Sequence, residues 1–259
     1  MTAARLPTTT PGRALLRVLD AARDIPANRS AAASWEKMDP DMQTIGGLSW
    51  PSKMPGAAFG LPPEACNVGA RMAQIPGTIC HGCYAMRGKY ALDAATAAQQ
   101  RRLILLYGQD HATWVNAFVR VLRRALKKPA DKFFRWHDAG DIQGLWHLER
   151  IVDVARQTPE IRHWLPTREI AVVRAYLARD AFPENLTVRL SGNKPDQPAP
   201  SLPGCTTSTV YTWGKNPPQG EPCKAYIPAD NGVGFTMRAE GCGDCRLCWS
   251  VTPVAYPFH

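Results

Sequence analysis

FFRWHDAGDIQGLWHLERIVDVARQTPEIRHWLPTREIAVVRAYLARDAFPENLTVRLSGN, residues 133–193, decides the fold. Phe133–His137 is a short run of large, strand-favouring residues that ends at once in the polar turn His137-Asp-Ala-Gly-Asp141. From Gly144 to Gln157, Leu145, Leu148, Ile151, Val152 and Val154 recur at helical spacing and form one apolar stripe. Ile161–Leu165 then reads as a second strand, Arg168–Arg179 as a second helix and Leu186–Ser191 as a third strand. Strand and helix alternating through short connections is the pattern of βα units on a parallel sheet. The expectation is an α/β fold: a full or partial (β/α) barrel first, an open doubly wound sheet second.

Ala91–Tyr107 and His111–Lys127 read as two more helices upstream, and Thr209–Trp213 as a further strand downstream. Residues 46–90 hold Gly and Pro with little periodicity, which predicts a long ordered loop, and such loops are usually functional. The chain thus divides into a flexible N-terminal arm, 1–45, with one amphipathic piece at Arg13–Arg23. A barrel-like core with a cysteine loop, 46–200, follows, and then a cysteine-rich, metal-binding C-terminal region, 201–259. A length of 259 residues suits one large domain. The longest aliphatic run, Leu103–Leu106, is too short to cross a bilayer, and Met1–Arg13 has no apolar core of a signal peptide. A cytoplasmic protein with no membrane partner is expected. Its 31 Lys and Arg against 22 Asp and Glu leave +9, which suits an anionic partner such as a nucleotide or nucleic acid. Nothing in the pattern specifies an oligomeric state.

Eight cysteines without a secretory signal argue against a disulfide framework and for metal. One set is Cys66, Cys80 and Cys83; the other is Cys223 with Cys242, Cys245 and Cys248 in a C-x2-C-x2-C run. Two-residue gaps let thiolates converge on one centre. Zinc would use paired knuckles, Cys80/Cys83 with Cys245/Cys248, and leave a thiolate idle. The triple run instead favours a [4Fe-4S] cluster at the C-terminal set, completed by Cys223. The first set lacks an evident fourth ligand, and an open position is what separates a catalytic site from a structural one. Cys205 reads as a small buried apolar residue, with closure of the first site as its alternative role. His81 reads as an exposed or supporting neighbour of Cys80.

The stretches SKMPG (52–56), IPGTICHGCYA (75–85), FRWHDAGDIQ (134–143), HWLPTRE (163–169), NLTVRLSG (185–192) and CGDCRLCW (242–249) resemble a family of phage and plasmid proteins known by a phage gene-product number. The element C-x(n)-C-x2-C-Y-A, which includes Tyr84, is similar to that of phage proteins related to radical S-adenosylmethionine (SAM) enzymes. The resemblance implies a full or partial (β/α) barrel, a four-iron cluster on Cys66, Cys80 and Cys83, and SAM as cofactor. Here the first gap is thirteen residues instead of three, and the Gly-Gly-Glu-Pro segment that holds the SAM amino group is missing. His137–Asp141 stands in its place by analogy.

Ligands of parallel α/β folds bind at the carboxyl ends of the strands. Three expected strands end in polar clusters: Trp136, His137, Asp138 and Asp141; Thr167, Arg168 and Glu169; Arg189, Ser191 and Asn193. His137, titrating near neutral, is the candidate proton carrier, and Asp138 and Asp141 suit ribose hydroxyls or the SAM ammonium. Arg168 and Arg189 suit a phosphate or carboxylate, and Tyr84, Thr167, Ser191 and Asn193 complete the expected cofactor pocket. The plainer roles are helix caps for Asp141 and Thr167 and a core position for Trp136. Arg101–Arg102 and the run Arg123–Lys128 are basic faces, solvated or tracking a phosphate backbone. An iron–sulfur enzyme acting on a nucleotide or nucleic-acid base is expected first. A metal-stapled nucleic-acid binder without turnover is one alternative, and a magnesium nuclease built on Asp138, Asp141 and Glu169 is the other.

Overall fold

The computed structural model describes residue 35, residues 37–215 and residues 219–258. Most of the expected arm, Arg13–Arg23 included, lies outside the described residues. Nine strands occur among those described: β1 (Ala57–Phe59), β2 (Phe133–Trp136), β3 (Arg162–Thr167), β4 (Leu186–Ser191), β5 (Thr206–Tyr211), β6 (Glu221–Pro222), β7 (Tyr226–Pro228), β8 (Phe235–Met237) and β9 (Val254–Pro257). Six α-helices accompany them: α1 (Pro40–Ile45), α2 (Asn67–Met72), α3 (Asp93–Gly108), α4 (His111–Ala125), α5 (Leu145–Gln157) and α6 (Ile170–Leu177).

Seven strands form one sheet in the order β1-β2-β3-β4-β5-β9-β6, and every pairing in it is parallel. Strands β7 and β8 form a separate antiparallel pair. From β1 to β5 each strand lies beside its successor, so the winding never reverses as it does in a doubly wound sheet. The sheet has two edges, β1 and β6, and no pairing among the described residues joins them. Among the described residues a closed barrel is therefore not shown, and of the barrel expectation the sheet bears out the parallel α/β part. Helix-linked strands run out after β4, and beyond β5 the tail supplies only short strands, β6 of two residues among them.

Pleating sorts the side chains of β2. Phe134 and Trp136 face the helices and pack with Phe59, Trp114 and Phe118, the Phe118–Trp136 ring centroids lying 4.8 Å apart. Trp136 is thus a core residue. Phe133 and Arg135 face the other side, where Trp249 packs against Phe133 and Trp164 and donates its indole N–H to the Phe134 carbonyl at 2.9 Å. The tail is in this way folded against the sheet's second face.

The segment just before residue 46 is helical and docked, so the expected arm is too long at its C-terminal end. Asp39 caps α1 by accepting from the backbone N–H of Asp41 and Met42, and Ile45 is buried. Asp41 binds Arg120 and Arg124 of α4, which fastens α1 to that helix. No helix among the described residues is long and apolar enough to cross a membrane.

Candidate functional site

The loop from Gly60 to Leu92 carries the first cysteines across the carboxyl edge of the sheet, and three latches hold it there. Val68 N–H, in the first turn of α2, donates to Glu169 Oε1 at 2.8 Å just beyond β3. Ile79 N–H donates to the Asn193 carbonyl at 3.0 Å just beyond β4. Tyr84 O–H donates to the Asp138 carbonyl at 2.6 Å just beyond β2. Each latch lies within two residues of a cysteine: Val68 of Cys66, Ile79 of Cys80 and Tyr84 of Cys83.

The Cys66 and Cys80 sulfurs approach one point beside Gly69: a Cβ built there would lie 3.5 Å from the first and 3.7 Å from the second. Burial pushes the Cys66 thiol well up, with Asp141, Cys83, Cys80 and Glu169 adding to the shift. Burial also raises Cys80, while the nearby Arg168 guanidinium works against it. His81 is exposed, with Nδ1 3.0 Å from the Ala73 carbonyl. No three His, Cys, Asp or Glu among the described residues stand at metal-holding geometry.

Several expected ligand binders prove to be braces. Asp141 accepts from Thr167 O–H at 2.6 Å, Ile142 N–H at 2.8 Å and Arg168 N–H at 2.9 Å, which ties the ends of β2 and β3 together. It does not cap α5, whose N-cap is Gly144. Burial nevertheless raises its carboxyl above the usual range. Thr167 caps no helix by side chain either; its hydroxyl accepts from Glu169 N–H at 3.0 Å. Glu169, the latch for α2, is pushed up to about 7 by burial and then by Asp141. Ser191 is buried, 3.4 Å from the Ser208 hydroxyl. Arg168 donates to the Gly192 carbonyl at 3.1 Å and keeps its charge near Cys80.

Arg189 is the clearest correction. It is 0% exposed, and its two terminal nitrogens donate to the carbonyls of Thr207, Thr252, Leu247 and Ser250. That leaves those nitrogens nothing for a phosphate or carboxylate, and clamps the loop after Cys245 to β4 and β5.

His137 and Asp138 keep unspent capacity. His137 takes φ 55°, in the left-handed region, and is 3% exposed. Neither ring nitrogen has a partner among the described residues. Burial, with Arg135 second, pushes His137 down to about 3, so it is neutral at physiological pH and corrects the expectation of a near-neutral proton carrier. Its ring stands edge-on to His147 at 5.3 Å. Asp138 accepts from Ser49 O–H at 3.2 Å through Oδ2, while its buried Oδ1 has no partner among the described residues. A side chain at Gly60 would collide with that oxygen. Arg135 donates to Tyr84 Oη at 3.1 Å, and Tyr84 lies edge-on to Tyr90 at 5.5 Å. Ser49, Gly60, Arg135 and Tyr90 went unnoticed in the sequence because no spacing connects them to this end of β2.

The second cysteine set gathers where the tail folds back. Burial pushes Cys223 up to about 12 and Cys242 to about 11, and the charges of Cys223, Cys242, Cys245 and Cys248 act on one another. Cys248 Sγ lies 3.1 Å from Tyr256 Oη, and Cys242 N–H donates to the Lys53 carbonyl. Cys205 packs against the apolar core, and all eight cysteines are free of disulfides.

A family model described as gene product 88 matches residues 22–251. The chain belongs to the gene product 88 family. The span matched by the gene product 88 model takes in both cysteine sets and all three strand-end clusters. No curated protein and no solved structure matches the chain.

Proposed function

We propose that this chain is an iron–sulfur enzyme of the radical-SAM-like kind, acting on a nucleotide or a base in nucleic acid. The observation that carries the reading is the place of the first cysteine set. Cys66, Cys80 and Cys83 follow β1 on a loop latched to the carboxyl ends of β2, β3 and β4 through Tyr84, Val68 and Ile79. Ligands of parallel α/β sheets are held at that edge. The strand order, unreversed from β1 to β5, supports the finer assignment to a partial (β/α) barrel of this type.

The donor set fits the cofactor by its chemistry: three thiols whose charges act on one another, and no fourth cysteine among them. A [4Fe-4S] cluster with SAM supplies one-electron reductive chemistry there. The chain's own residues bind and orient. Asp138 Oδ1 accepts a hydroxyl or ammonium donor, and neutral His137 offers one N–H and one lone pair at the same strand end. Arg168 sets a positive charge beside Cys80, suited to a carboxylate. Cys223, Cys242, Cys245 and Cys248 would hold a second, closed cluster or, as the alternative, zinc. A cytoplasmic location is part of the same proposal, since free thiols at this number suit a reducing compartment.

A metal-stapled nucleic-acid binder without turnover is the second reading, favoured by one observation: Arg189 and Trp249 clamp the second cysteine set as a structural site requires. The magnesium nuclease loses ground, because Asp141 and Glu169 already accept backbone N–H groups. The test is anaerobic purification with iron, sulfide and zinc counted per chain, followed by EPR of the reduced protein with and without SAM. About eight irons, a SAM-perturbed signal, and loss of about four irons in Cys66→Ala are expected. Zinc without iron, or a signal blind to SAM, overturns the proposal.

A further inference from the structure

The helical side of the molecule pairs many of its arginines with its own acids. Arg120 and Arg124 bind Asp41, Arg123 binds Glu160, Arg156 binds Asp180 and Arg179 binds Glu149. Arg101 stacks over the Trp35 ring at 4.0 Å, and buried Arg102 donates to the carbonyls of Gly47 and Gly60. The arginines of both basic clusters that the sequence offers as phosphate tracks are thus engaged by the fold itself.

The cysteine loop is arranged differently. Between Cys66 and Leu92 there is no Asp or Glu, and Arg71, Arg87 and Lys89 are exposed without an ion pair to any described residue. Tyr84 stands among them, 52% exposed, yet its ring is not free to swing. Its hydroxyl is held between the Asp138 carbonyl and Arg135, and its edge meets Tyr90. Trp50, 58% exposed, follows Ser49, whose hydroxyl donates to Asp138.

Unpaired cations track a phosphate backbone, and a rigid aromatic face stacks an unpaired base at little entropic cost. A duplex hides its base faces, whereas an unpaired strand offers regularly spaced phosphates and open base faces together. We propose that the cysteine-loop face binds a single-stranded nucleic acid, with Arg71, Arg87 and Lys89 on phosphates and Tyr84 stacked on a base beside Cys83. That the strand feeds the site at Asp138 rests on the enzyme reading above; the binding itself does not.

The experiment uses the full chain and fluorescein-labelled strands of about 15 nucleotides, DNA, RNA and duplex, read by anisotropy from roughly 0.05 to 0.3 M salt. Single strands bind more tightly than duplex, and comparing the DNA and RNA arms identifies the sugar. Replacing Arg71, Arg87 and Lys89 with serine together lowers the salt slope by about 2, at ~0.7 per phosphate contact. It weakens binding about 50-fold near 0.15 M salt, extrapolating that slope from 1 M. Replacing Lys127, Lys128 and Arg162 with serine removes the same charge at the opposite end of the strands and leaves affinity within about twofold. Tyr84→Ala costs about tenfold for single strands, while Tyr84→Phe keeps most of it. Equal losses in the two triple variants, no preference for single strands, or no binding at all overturns the proposal. A chain without iron that still binds sinks the enzyme reading alone; an iron-loaded, SAM-responsive chain that ignores nucleic acid sinks only this one.

Discussion

His163, the second residue of β3 and fully buried, makes the fold acid-sensitive in a way that can be calculated. Thr158 Oγ1 donates to the Val154 carbonyl at 2.7 Å, so at the 2.9 Å contact with His163 it is the ring Nε2–H that donates. Nδ1 must then be the lone pair that accepts the Trp136 indole N–H at 3.2 Å. A second ring proton would face that N–H head-on. Burial accordingly pushes His163 from 6.5 down to about 3. A lowered folded value means that the unfolded chain takes a proton below pH 6.5 while the native state does not. Stability is complete above pH 6.5 and is lost as pH falls towards 3. At ~1.36 kcal/mol per pH unit the loss from this one ring is about 2 kcal/mol at pH 5. Replacing His163 with Asn keeps an acceptor for Trp136 and removes the titration. Urea unfolding of both proteins, followed by circular dichroism at pH 7.5 and pH 5, isolates the term. Wild type is the more stable at pH 7.5, and the gap narrows by about 2 kcal/mol at pH 5. A gap that does not change with pH, or a His163 ring shift titrating near 6.5 in NMR, would refute the argument.

Arg189→Met takes a donor from four carbonyls with one substitution, of which Leu247 keeps the Ser250 N–H and O–H, and a loss of about 3 kcal/mol is expected. Hydrogen exchange should quicken first in residues 247–252, and unchanged protection there would contradict the clamp. Asp41→Asn removes the ion pairs to Arg120 and Arg124. These arginines hold the Asp41 carboxyl below the usual range, so its contribution is present above pH 4 and fades as pH falls further. Both arginines are half-exposed, and thermal unfolding at neutral pH should register about 1 kcal/mol or less; several times that would point to a role beyond docking α1. Cys205→Ala leaves the bound-metal count unchanged whereas Cys248→Ala lowers it, a contrast that elemental analysis of the two purified variants decides.

Where one residue pattern carried the structure, reading it sufficed. The strands at 133, 162 and 186 and the helices from 93 to 177 lie within a few residues of their expected bounds, because all but α3 bury an apolar face that their periodicity records, α3 being legible from its lack of helix breakers. Strand β1 escaped notice because Ala57–Phe59 is three residues long between Gly56 and Gly60. Strand β5 starts three residues before the expected Thr209, its Thr-rich beginning looking polar although β-branched residues suit a sheet. Strands β6 and β9 contain proline and pair only because the sheet offers them an edge.

The sequence by itself determined the parallel α/β class, the two cysteine sets and the strand ends where polar residues collect. Those are local properties: the period of apolar residues, the spacing of thiols, the residues that follow a strand. Tertiary structure alone decided what each polar residue is spent on. Arg189 has the fork that a phosphate wants, but it meets three carbonyls of a loop some sixty residues away and a fourth, that of Thr207, on the neighbouring strand. Asp141 and Glu169 hold backbone N–H groups, and His137 is made neutral by the core around it. Asp138 alone of the three carboxylates keeps a buried oxygen unspent. A donor or acceptor is free for a ligand only if the fold has not already used it, and that depends on neighbours that sequence distance does not record.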